Sequence, residues 1–273
     1  MWSVREQALY WTDNLGGTIH RLEPAGRSAQ SFGLGQNVMA IGLRKSGGLV
    51  LALAKHFAFY EPGGELDLLM GVEQDQPRNR FNDGKVDSRG RYWAGTMNDI
   101  DWDKPSGSLY RLDLGLELNQ LQGAVVCANG LGWSPDDRTF YFVESFRYAI
   151  FAYHFDPDAG ALWGRRLFAT VDGSSGTFPD GLTVDAEGGV WSVQHGAGRV
   201  VRYAPDGKIS HEVEVPLPQP TSCMFGGREL DVLYITTSRQ NMSPEQLRRY
   251  PLSGSVFAVQ PGLTGMPEPC FAG

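Results

Sequence analysis

The chain has 273 residues, 41% hydrophobic and 20% charged, with 35 Gly, 16 Pro and a formal net charge of −7. No apolar run approaches the roughly 18 residues of a membrane-spanning helix, and the acidic balance contains no basic block, so neither a membrane nor a nucleic acid is an expected partner. Cys127, Cys223 and Cys270 lack metal-ligand spacing and read as reduced thiols, which together with a start unlike a signal peptide points to the cytoplasm.

In chain order, short runs rich in Val, Tyr, Phe and Trp recur at residues 8–26, 47–64, 90–113, 138–156, 188–207 and 232–262. Gly-Gly, Pro-Asp-Gly and Pro-Gly-Gly separate them, which are hairpin signals, and helical periodicity is almost absent. A repeat of about 45 residues built from short strands is the mark of a β-propeller with one four-stranded blade per unit. The expectation is therefore an all-β, six-bladed β-propeller, a single domain over residues 1–273, with a central metal-binding channel. The Gly-His and Trp-Asp pairs of WD repeats are missing, and no linker divides the chain into two sandwiches.

The turn before each central run sets a common register. Asn82 lies five residues before Asp87, Asn129 five before Ser134 and Asp180 five before Asp185, and the same offset gives Ala40 and Thr221. Equivalent positions in a propeller ring the channel, so Asn82, Asn129 and Asp180 are expected to converge at one mouth. Taken singly, Asn129-Gly130 and Pro179-Asp180-Gly181 are also ordinary turn signals, as Pro205-Asp206-Gly207 is between two strand runs. Arg80 precedes the strand and reaches over the mouth, whereas Asp83 and Lys85 fit either a structural ion pair or a substrate contact.

Two Asn and one Asp make an oxygen-rich ring, hard-ligand chemistry for one divalent cation, Ca²⁺, Mg²⁺ or Mn²⁺, with Zn²⁺ left open. His20, His56, His154 and His211 read as surface or structural residues, and His195, after an inner run, stays undecided. No Gly-x-Ser-x-Gly elbow, Walker loop or dinucleotide fingerprint is present, which argues against serine-hydrolase, nucleotide and dinucleotide chemistry.

The segments RFNDGKVDSRGRYWAGTM, ANGLGWSPDDRTFYFVES and FPDGLTVDAEGGVW resemble motifs of the senescence-marker-protein, gluconolactonase and luciferin-regenerating-enzyme family, the regucalcin-like lactonases. The resemblance runs from Trp2 to Gly273. It implies a propeller that binds one divalent cation and hydrolyses sugar lactones, with Asn129 and Asp180 as metal ligands, Asp180 also as general base, and Arg80 and Asn82 contacting substrate. Family members usually open with a Gly-Glu-Gly-Pro-x-Trp segment whose Glu is a third ligand. Here the chain starts just before that Trp, so the first blade is expected to lack its inner-strand segment, with Met1 an internal methionine of a longer protein. Asp99 and Asp101 are candidate substitutes for the ligand, and Ile100 stands where the family often has a substrate-contacting carboxylate. The expected function is metal-dependent sugar-lactone hydrolysis. The alternatives are a phosphotriesterase-like metal hydrolase and a metal- or ligand-binding propeller without turnover.

Overall fold

The computed structural model describes residues 1–26 and 28–273. Among the described residues six sheets follow one another along the chain, five of four strands and the last of three, each strand hydrogen-bonded to its neighbour in sequence. They form blades 1 to 6 over residues 2–33, 38–71, 79–125, 128–170, 178–214 and 220–259. From blade 2 to blade 6 each innermost strand packs against the innermost strand of the next, blade 1 meets the inner strand of blade 2 through its second strand, Ala8–Asp13, and Trp2–Ser3 meets Pro220–Gly226 to close the ring. The inner strand of the first blade is short. It is a stub of 2 residues, with Trp2 opposite Leu9 and Ser3 opposite Ala8.

The period-2 pattern grades from the inside of a blade outwards. Second strands such as Leu49–Leu53 and Tyr92–Asn98 are buried on both faces, because sheets cover them from either side, whereas the outermost Ser28–Gly33 and Ile209–Glu214 are almost wholly exposed. The core is accordingly a set of inter-blade layers. In the layer between blades 3 and 4, Trp93 packs on Trp133, Phe140 and Phe155 with ring centroids 5.6, 5.3 and 5.9 Å away.

Two buried carboxylates anchor the turns that follow the inner strands. Asp87 accepts from the backbone N–H of Arg89 and Arg91, the Trp93 indole at 2.8 Å and Arg91 Nε at 2.6 Å. Asp185 repeats the arrangement with the N–H groups of Glu187 and Gly189, the Trp191 indole at 2.7 Å and Arg202 Nε at 2.6 Å. Both carboxylates are fully buried, and full satisfaction is what makes that tolerable.

After the third strand of blade 6, the tail crosses the face carrying these turns. Gly265 bridges to Asp185, Phe271 runs parallel to Arg44, and Ala272 N–H donates to the Gly90 carbonyl. Glu268 on the tail reaches Lys85 of blade 3 at 3.1 Å. This face of the channel is thereby covered, which leaves the opposite face as the mouth. No helix among the described residues is long and apolar enough to cross a membrane.

Removing one partner of a buried, hydrogen-bonded ion pair typically costs about 3–5 kcal/mol. Asp185→Ala should therefore lower the unfolding free energy by about that amount, measured by urea denaturation with circular dichroism. A loss below about 1 kcal/mol would show that the carboxylate does not anchor the blade.

Candidate functional site

The ring expected from the sequence forms. Ala40, Asn82, Asn129, Asp180 and Thr221 all line one cavity of about 840 Å³ inside the channel. Each of the five inner strands carrying them breaks its ladder register at or next to that residue, for example between Pro179 and Leu182 and between Pro220 and Ser222. Such bulges re-aim a side chain, here towards the channel. In blade 2 the break falls at Met39, beside Ala40.

Asn129-Gly130 and Asp180-Gly181 are not turn dipeptides, since both lie within inner strands. Their glycines let neighbouring strands approach: a Cβ on Gly130 would sit 2.5 Å from Leu182 N, and one on Gly181 would sit 2.4 Å from Ser222 Oγ. Pro205-Asp206-Gly207, by contrast, is a hairpin turn in which Asp206 accepts from Lys208 N–H.

A hydrogen-bond relay spans blades 3, 4 and 5. Arg80 Nη1 donates to Asn82 Oδ1 at 2.6 Å, Asn82 Nδ2 to Asn129 Oδ1 at 3.1 Å, and Asn129 Nδ2 to Ser145 Oγ at 2.8 Å. Ser145 then donates to the Pro179 carbonyl at 2.6 Å, next to Asp180. These contacts fix the two amides. Arg80 is held further by Asp99, the Phe81 carbonyl and Met39 Sδ.

Asp180 has no side-chain hydrogen-bond partner among the described residues; burial first, and the Asp83 charge second, hold its carboxyl well above the ordinary carboxylate range, opposed by the Gly181 N–H. Asp83 is raised too, by burial, against the Gly84 N–H and Lys85. His195 also lines the cavity, and burial lowers its pKa to about 4, so it is neutral at pH 7.

Of the two readings left open for Lys85, the structure shows the ion pair, with Glu268. Asp99 is tied to Arg80 and Asp101 to Arg78, and neither lines the cavity, so neither replaces a channel ligand. His20 stacks on Trp11 and meets the Ser31 hydroxyl at 2.8 Å, in keeping with the structural reading, and it also lines the cavity.

The donor set was tested against a divalent cation. At the ring stand the Asp180 carboxylate and the Asn129 amide oxygen, which already accepts from Asn82; among the described residues no group of three or more His, Cys, Asp or Glu is placed to hold a metal. Ca²⁺ takes 6–8 oxygens and gains affinity with ligand charge. The residues present do not complete such a site, so the expected central metal-binding channel is not supported by its donors.

Residues 1–239 match the model of the SMP-30/gluconolactonase/LRE-like region. The chain belongs to this family. Across its whole length it is 40% identical to a 6-deoxy-6-sulfogluconolactonase of Pseudomonas putida, covering 94% of that protein, and 34% identical to Gallus gallus regucalcin, covering 93%. Among solved structures, a calcium-binding protein, regucalcin, of Agrobacterium tumefaciens superposes with a TM-score of 0.93 at 26% identity, covering 99% of this chain and 92% of that one. A luciferin-regenerating enzyme gives 0.89 at 27% identity, covering 98% and 92%. Similarity to gluconolactonases thus supports hydrolase chemistry at the level of the family.

The raised Asp180 carboxyl has a measurable consequence. A carboxyl whose folded pKa exceeds its unfolded value contributes stability below the unfolded pKa and loses it as pH rises through the folded pKa. Asp180→Asn should therefore raise the melting temperature at pH 7 in the presence of a chelator, and the gain should vanish towards pH 3. A lower melting temperature for the variant at pH 7 would contradict the assignment.

Proposed function

We propose that the channel mouth binds a sugar lactone and that, on the donors described, a divalent cation is held only weakly, so that the protein is a lactone-binding propeller with slow turnover. The carrying observation is the relay from Arg80 to Ser145, which fixes two amides beside an unpartnered carboxyl without assembling a closed cation site. In this reading Arg80 and Asn82 orient the lactone oxygens by directional hydrogen bonds. Asp180, when ionised, is a stronger base than an ordinary carboxylate and takes the proton of a water attacking the ring carbonyl. The buried Cys127 and Cys223 thiols support a reducing, cytoplasmic setting.

A second reading is full metal-dependent lactonase activity. It draws on the lactonase relative and the calcium-binding neighbour, and on the paired Asp83 and Asp180 carboxyls, whose repulsion a cation would relieve.

The two separate in one experiment. Hydrolysis of D-glucono-1,5-lactone is followed by pH-stat with chelator or with Ca²⁺, alongside calorimetric Ca²⁺ titration. The proposal expects lactone-dependent binding, slow hydrolysis and Ca²⁺ dissociation constants no tighter than about 10⁻⁴–10⁻³ M, the range of weak modules. Turnover stimulated about a hundredfold by Ca²⁺ bound in the micromolar range would select the second reading. Residual hydrolysis should fall about 10²–10⁴-fold in Asp180→Asn and stay unchanged in Asp206→Asn. Equal activity of the two variants would remove Asp180 from the site.

A further inference from the structure

Three arginine and lysine side chains line the channel cavity, Arg80, Lys85 and Arg239. Two are engaged by carboxylates, Arg80 by Asp99 at 2.5 Å and Lys85 by Glu268 at 3.1 Å. Among the described residues Arg239 makes no ion pair, and its guanidinium donates no hydrogen bond. Resting on the sugar-lactone reading above, we propose that Arg239 is the anion-binding residue of a subsite at the channel mouth, and that the preferred substrate is a sugar lactone carrying an oxyanion on its terminal carbon.

The chain places Arg239 on the open side of the ring. Thr237 ends the second strand of blade 6 opposite Pro220, the residue before the ring position Thr221, and Arg239 follows two residues later on the loop towards the third strand. Second strands run from the turn-bearing face to the mouth, so this loop stands at the mouth. With the lactone carbonyl at Asn82 and Asp180, a substituent projecting towards the mouth meets it.

The loop confines the arginine. Its stem lies against the backbone of Gly254, where φ is +86° and a Cβ would sit 2.8 Å from Arg239 Cδ and 3.0 Å from its Cγ. Gly254 N–H donates to Thr237 Oγ1 at 3.0 Å, and that hydroxyl donates to the Ser255 carbonyl at 2.6 Å, which closes the loop at its base. Ser238 Oγ accepts the Gln240 N–H at 2.9 Å, and Met242 N–H reaches back to the Arg239 carbonyl at 3.2 Å. A planar guanidinium on a confined stem loses less freedom on binding than a free surface arginine.

The surroundings favour a negative group. Residues 236–243, Thr-Thr-Ser-Arg-Gln-Asn-Met-Ser, carry no carboxylate, and Gln240 and Asn241 line the cavity beside Arg239. Gln219 is joined to this loop where Ser238 N–H donates to its carbonyl; its side-chain oxygen is buried, which leaves the amide nitrogen as the exposed end and a further donor. Asp13, the carboxylate of the adjacent blade 1 on the cavity wall, faces its own turn, where it accepts Gly16 N–H at 2.9 Å. A guanidinium presents paired donors in a planar fork that fits the oxygens of a carboxylate, a sulfonate or a phosphate, so the chemistry recognised is the oxyanion they share.

The test uses calorimetry at pH 7 with the whole protein and four non-hydrolysable rings. These are 1,5-anhydro-D-glucitol, its 6-phosphate, its 6-deoxy-6-sulfo analogue and the acid in which its terminal carbon is a carboxylate. At about 10 mM salt wild type should bind at least one anionic ring about 5–10-fold more tightly than the neutral one, between the worth of an exposed ion pair and that of a charge-assisted hydrogen bond. The tightest of the three identifies the oxyanion. The preference should shrink at about 150 mM salt, where the screening length contracts from about 30 to about 8 Å. Arg239→Gln should erase it while binding the neutral ring as wild type does, and Arg239→Lys, which keeps the charge, should retain part of it. A neutral ring bound as tightly as every anionic one, or a preference that survives Arg239→Gln undiminished, would overturn the subsite; the first comparison needs no variant. Wild type binding none of the four rings would instead remove the sugar-lactone reading, and the subsite with it.

Discussion

The buried carboxylate at the end of an inner strand is the contact from which the remainder of the site is measured. Asp87 and Asp185 each gather two backbone N–H groups, an indole and a guanidinium. A one-residue slip in a strand turns every side chain to the other face, and these contacts forbid the slip in blades 3 and 5. Five residues upstream the strand is consequently in one register only, and that register delivers Asn82 and Asp180 to the channel. Blade 4 reaches the same end by other means. Ser134 replaces the carboxylate there, taking Thr139 N–H on its hydroxyl, while the Trp133 indole is left without a partner.

The blades and the ring were legible because both are periodic. Repetition of the turn signals dates each strand, and a constant offset from the turn turns one-dimensional spacing into a position around an axis. The features that escaped the sequence are those that obey no period. Glu268 reaches Lys85 from a tail about 180 residues downstream in chain order, and Asp83 faces Asp180 across two blade boundaries. His195, which ends the second strand of blade 5, and Gln219, just before the first strand of blade 6, line the same cavity without sharing a motif. The glycines after Asn129 and Asp180 misled for a physical reason. Asn-Gly and Asp-Gly favour turns locally, but the close approach of neighbouring inner strands demands glycine there as well, and tertiary packing decided the outcome.

Charge distribution within the channel follows the same geometry. Asp83 and Asp180 are two carboxyls placed in a confined space with Lys85 turned away to Glu268. Arg80, the cation nearest the ring by sequence, is engaged by Asp99 and Asn82. Among the described residues neither cation forms an ion pair with the two carboxyls. The Asp180 carboxyl therefore keeps its proton to higher pH than an ordinary carboxylate, which is the state of an acid or base held ready rather than of an ion pair.

The tail that crosses the turn-bearing face has a kinetic consequence. With Glu268 and Pro269 forming part of the cavity wall, that face is occupied and traffic is confined to the opposite one. A molecule that enters has to leave by the path of its successor. Entry and exit then share one set of obstacles, the side chains of Trp102, Phe146, Phe178 and Arg80 on the cavity wall, so a product still in the channel delays the next substrate.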